Sequence, residues 1–153
     1  MHMKGAKLQI GDYAFIKSLY GGYHTTLIKI AAVHQKKVGY HKVPNKLNWI
    51  RIEQIEPIPL TSEILEKNGF NKVPQPGCSN PYHWEFKEYE EETGGLLYLI
   101  KAYSNFFRGM RITIENYVDG NNFGKQIEHF HELQHALRLC ELNKLADSLK
   151  AED

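Results

Sequence analysis

The sequence has little that would stabilise a chain from outside its own core. Two cysteines in 153 residues exclude a disulfide scaffold, and Cys78 and Cys140 stand in unlike surroundings, a Pro/Gly loop and a helical pattern. They read as free thiols of a reducing compartment. No apolar run approaches the ~18 residues of a membrane span, and the Met1-His2-Met3-Lys4-Gly5 start lacks the apolar stretch of a secretion signal. These two absences predict a cytoplasmic protein with no membrane partner. No glycine-rich loop precedes a helix to cradle phosphate, because Gly21-Gly22 and Gly94-Gly95 sit in turns between strands. No G-x-S-x-G elbow is present. What remains is an ordinary globular composition, 42% hydrophobic and 24% charged, long enough to bury a core unaided.

Residues 7–58 alternate in short extended runs. Leu8 to Phe15 forms a first strand broken at Gly11-Asp12, followed by Thr25–His34, Lys37–Val43 and Asn48–Ile55. Gly21-Gly22, Gln35-Lys36-Lys37 and Pro44-Asn45-Lys46 punctuate them. So many short strands without helices bury an apolar face best by curling into a closed barrel. A small SH3-like β-barrel is therefore expected over residues 1–58, with Tyr13, Tyr40 and Trp49 in its core. Pro57 and Pro59 mark the junction.

From residue 59 to 153 the pattern changes to α-β-β-β-β-α. Thr61 is an N-cap for a two-turn helix closed by Asn68-Gly69. The proline-rich residues 71–81 read as a loop. Tyr82–Tyr89, Leu96–Tyr103, Met110–Val118 and Gly124–Phe130 read as four antiparallel strands, and a helix starts near His131. Its apolar stripe (Leu133, Ala136, Leu137, Cys140) lies opposite the next one (Leu142, Leu145, Ala146, Leu149), which predicts a break near Glu141–Asn143. The fold class is α+β: the barrel, then a four-stranded antiparallel sheet flanked by helices.

The last helix opens with His131-Glu132-Leu133-Gln134-His135. H-E-x-x-H on a helix sets two imidazoles one turn apart to share zinc, with the Glu activating water. Arg138 stands where the extended motif needs a bending glycine, and only 18 residues follow His135. A polar helix face is the plainer reading, and a zinc-dependent hydrolase through His131 and His135 is an alternative. No other cofactor is indicated.

Charge divides unevenly. Residues 1–60 hold nine Lys/Arg against three Asp/Glu, a net +6, and residues 61–153 hold ten against fifteen, a net −5. Lys17, Tyr20, Tyr23, Lys36, Lys37, Lys42 and Lys46 form the candidate binding patch. Lysines there suit phosphates and tyrosines suit bases; lysines on strand edges also guard against aggregation.

Two segments carry a resemblance. Pro57-Ile58-Pro59-Leu60-Thr61-Ser62-Glu63-Ile64-Leu65-Glu66-Lys67-Asn68-Gly69-Phe70 resembles a PIPLT-E-IL-K-GF segment, and His131-Glu132-Leu133-Gln134-His135-Ala136-Leu137 resembles a HELQ-L helix. Both occur, in this order, in a family of small uncharacterised proteins of Bacteroidetes genomes, their phages and mobile elements, and Ile10-Gly11-Asp12-Tyr13 is similar to that family's opening. The resemblance implies a bacterial or phage cytoplasmic protein. It argues against a peptidase, since the second His is often Asn in that family. It supplies no activity. The expected role is non-enzymatic binding, as an adaptor for a protein partner. Nucleic acid is the alternative partner, and a second copy of the chain a further one.

Overall fold

Short strands joined by tight turns leave each sheet to find its own apolar cover, and the chain does this twice. The structure, a computed structural model, describes residues 8–17, 26–104 and 109–151. It forms two compact units, Met1–Ile58 and Pro59–Asp153. Each contains one five-stranded antiparallel sheet, and the α-helices of the described residues belong to the second unit. The class is α+β.

In the first unit, β1 (Tyr13–Ile16), β2 (Thr26–His34), β3 (Lys37–Val43), β4 (Lys46–Arg51) and β5 (Ile55–Glu56) lie in the order β4-β3-β2-β1-β5. Gly11, at φ 94°, breaks the chain just before β1. Pro44 and Asn45 fill the two-residue β3–β4 turn, with Asn45 at φ 64° supplying the left-handed position. The core is Leu8, Ala14, Ile28, Ile30, Val38 and Ile55, with Ile16, Tyr40, Ile50 and Ile52 packed against it. Since β4 contributes Ile50 and β5 contributes Ile55 to one cluster, the sheet curls around it.

The curl does not close, which corrects the expected barrel. The chain leaves β4 through a 3-10 turn, Ile52–Gln54, and only two residues return to pair, both with β1. Among the described residues no ladder joins β4 to β5. Trp49 also departs from expectation: it is 48% exposed rather than in the core.

The second unit begins with α1 (Ser62–Lys67), whose N-cap Thr61 accepts from Ile64 N. Then β6 (Asn71–Pro74), β7 (Tyr82–Tyr89), β8 (Leu96–Ser104), β9 (Met110–Asn116) and β10 (Asn122–Ile127) form a meander in the order β10-β9-β8-β7-β6. Five strands replace the expected four. The extra one, β6, is an edge strand inside the proline-rich stretch, where Pro74 is tolerated at its end. Trp84, Ile100, Ala102, Ile112, Ile114 and Ile127 are buried on the sheet's inner side, and Trp84 Nε1 donates to Glu66 Oε1 of α1 at 2.9 Å. The last strand stops at Ile127, and α2 (Phe130–Leu139) starts one residue before the expected point.

Helix α2 ends where its apolar stripe runs out. Glu141 takes φ 61°, which breaks the helix, and α3 (Asn143–Ser148) follows. Buried Asn116, at the end of β9, donates from Nδ2 to the Cys140 carbonyl at 2.7 Å and so ties this break to the sheet. Asn68, the C-cap of α1, is a second tie. Its Nδ2 donates to the carbonyls of Ile64 and Lys150, and its Oδ1 accepts from Lys150 N at 2.8 Å.

Candidate nucleic-acid interface

Four basic residues of the first unit, Lys17, Lys36, Lys37 and Arg51, gather at one end of its sheet. Ile52 N donates to the Lys36 carbonyl at 3.0 Å and Lys17 N to the Gln54 carbonyl at 2.8 Å. These two bonds pin the 3-10 turn between the β2–β3 turn and the end of β1. Lys36, Lys37, Arg51, Glu53 and Gln54 line a cleft of about 730 Å³ there. Lys37 stands directly opposite Arg51 on the β3–β4 ladder. Both are exposed, and Glu53 is the one carboxylate among these lining residues.

Of the expected patch, Lys17, Lys36 and Lys37 are therefore brought to one end. Lys42 and Lys46 are exposed at the opposite end of the same hairpin, about 20 Å away at ~3.4 Å per residue. Tyr20 and Tyr23 lie outside the described residues. Sequence reasoning missed Arg51 and Trp49 as surface residues. The signal was parity: Ile50 faces the core, so Trp49 and Arg51, one residue to either side, face away.

That outward face is laid out in rungs. Ala32, Gly39 and Trp49 form one, Lys37 and Arg51 the next on one side, and His41 and Leu47 the next on the other. The His34 ring meets Trp49 edge-on, centroids 6.4 Å apart at 79°.

The H-E-x-x-H segment takes a different shape from the expected polar face. His131 is buried at 2% exposure, its ring stacked on His129 at 5.7 Å and edge-on to His135 at 5.5 Å. The Glu132 carboxylate accepts from Glu128 N at 2.8 Å and His129 N at 3.2 Å. It satisfies N–H groups at the helix start, which a solvated or water-activating carboxylate would leave open. Burial pushes its pKa up, but these backbone bonds, with attraction from His129 and His131, outweigh burial and the net shift is downward. Among the described residues no group of three or more His, Cys, Asp or Glu is arranged to hold a metal ion.

Two other ionisable groups have shifted pKa values. On the outer face of the second sheet, Glu85 accepts from His83 Nε2 at 2.8 Å and pairs with Lys87 at 3.0 Å. The His83 bond leads the causes that lower the Glu85 pKa. Cys140 is buried, and burial pushes its thiol up, away from nucleophilic use.

No family model, curated protein or solved structure matches the chain. No helix of the described residues is long and apolar enough to cross a membrane.

Proposed function

We propose that the chain is a non-enzymatic binding protein whose first unit takes nucleic acid along the β3–β4 hairpin. The observation that carries this reading is the Lys37–Arg51 pair. Like charges directly opposite on a ladder repel, and here Lys36 adds a third cation at the same cleft. A phosphate between them turns that repulsion into attraction. Lys42 and Lys46, exposed at the far end of the hairpin, add to the unit's positive charge but lie off this face, since Lys46 neighbours outward-facing Leu47 and Lys42 sits at the β3 irregularity. The unit's net charge of +6 over residues 1–60 supports the same partner.

Two other features belong to this proposal. The sharing of β1 between β2 and β5, with a 3-10 turn before β5, supports reading the first unit as an SH3-like roll. Membership of the Bacteroidetes and phage family, and with it a cytoplasmic setting, rests on the two resembling segments.

Fluorescence anisotropy of a labelled 20-nucleotide strand tests the reading. The wild-type chain is expected to bind at 20 mM salt, and the double variant Lys37→Ala/Arg51→Ala to bind at least tenfold more weakly with an unchanged melting temperature. Equal binding by the two would remove the interface from the hairpin.

A further inference from the structure

Trp49 stands in the middle of the outward face of the β3–β4 hairpin. Its indole is 48% exposed, and Leu47 on the neighbouring rung is 38% exposed. Gly39, opposite Trp49 on the ladder, keeps the floor between them flat. A Cβ there would lie 2.9 Å from Leu47 Cδ1 and 3.2 Å from the Ala32 Cβ. Leu47 thus lies across β3 where any other residue would displace it. The result is a strip of Ala32, Leu47 and Trp49 with His34 at one margin, His41 beside Leu47, and Lys37 and Arg51 one rung on.

Trp49 sets a half-exposed aromatic ring one rung from a pair of cations, Lys37 and Arg51. We propose that this face binds single-stranded nucleic acid, one base stacking on Trp49 while the adjacent phosphate sits between Lys37 and Arg51. This rests on the nucleic-acid reading above and narrows it. The step along a strand from one outward residue to the next is ~6.8 Å, which sets a ring beside a pair of cations at the spacing of base and backbone. Base stacking on aromatic side chains is tolerant of sequence. A duplex hides its base faces and offers this surface phosphates alone, so Trp49 would add little to duplex binding. Charge selects an anionic occupant over a neutral or basic peptide: cations border the strip on the rung next to Trp49, and the lone cleft-lining carboxylate, Glu53, lies beyond them; polyglutamate tests an acidic peptide.

Titration of intrinsic tryptophan emission tests this directly, because the second tryptophan, Trp84, is buried and hydrogen-bonded to Glu66. The probes are a 20-mer of thymidylate, the same backbone with abasic sites, a 20-base-pair duplex and polyglutamate, all at 20 mM salt. Thymidylate is expected to quench Trp49 and to bind about tenfold more tightly than the other three. Trp49→Ala is expected to lose about that tenfold, and Trp49→Phe to keep most of it. Circular dichroism melts of both variants report folding, and Leu47→Ser gives a smaller loss in the same direction. Unchanged thymidylate affinity in Trp49→Ala, or equal affinity for strand and duplex, would overturn the stacking proposal and leave nucleic-acid binding standing. Polyglutamate bound as tightly as thymidylate overturns it as well. Failure of every oligonucleotide to bind would instead overturn the broader reading.

Discussion

The Glu132 carboxylate accepts two N–H groups at the start of α2. Its lowered pKa makes that contact pH-dependent. A carboxyl held below its unfolded value contributes stability above the unfolded pKa and loses it as pH falls through the folded one. Glu132→Ala is therefore expected to lower stability by about 0.5–1 kcal/mol at pH 7. The gap to wild type should close below about pH 4, as read from urea melts at both pH values. A gap that persists in acid would mean that the carboxylate is not the cause. Gly109 is a sharper case. It takes φ 70°, and a Cβ there would come within 2.1 Å of the Ile127 carbonyl oxygen and 2.8 Å of Glu128 Cα. Backbone cannot yield as a flexible side chain does. Gly109→Ala is expected to cost upward of about 2 kcal/mol, whereas Gly120→Ala, with open space at its Cβ, should cost less. Near-equal melting temperatures for the two would contradict the packing of β9 against β10. The identity of Glu132's partners was beyond the sequence, since H-E-x-x-H spacing is the same whether the Glu faces a metal or folds back onto its own helix.

Among the elements, α1 and the segment after α3 are tied by the side chain of Asn68. Asn68 caps α1 and makes reciprocal bonds with Lys150 across 82 residues of sequence. Asn68→Ala removes all three bonds and is expected to cost about 1–2 kcal/mol, the site being partly exposed. Proteolysis is expected to nick the C-terminal end first in that variant, and a cleavage pattern identical to wild type would count against the tie. The capping half of this was legible: Thr61 and Asn68-Gly69 bracket α1 in the sequence as in the structure. The long-range half was not, because a side chain that ends a helix carries no mark of what else it touches. Strands fared similarly. Alternation located β7, β8 and β9, but β6 hid among prolines that an edge strand accepts. In β4 the alternation sets Ile50 inward and Trp49 outward, so the expectation of Trp49 in the core ran against parity.

Across the whole chain, near-neutral net charge conceals a basic unit and an acidic one. The lysine-rich half was visible from composition, yet composition cannot tell which lysines share an end of the sheet. Lys17, Lys36 and Lys37 do, with Arg51, because the 3-10 turn is bonded to both β1 and the β2–β3 turn. Barrel closure was equally out of reach, since it turns on β5 having two residues to pair rather than five or six. For binding by a handful of cations, counterion release sets the test. Each phosphate neutralised on a single strand contributes about −0.7 to the slope of log K against log salt. The most direct measurement is that slope for a thymidylate 20-mer between 20 and 200 mM salt, in wild type and in Lys37→Ala/Arg51→Ala. A wild-type slope of about −2 to −3, shallower by about 1.4 in the double variant, is expected. A slope near zero, or one that the double substitution leaves unchanged, would contradict nucleic-acid binding through this hairpin.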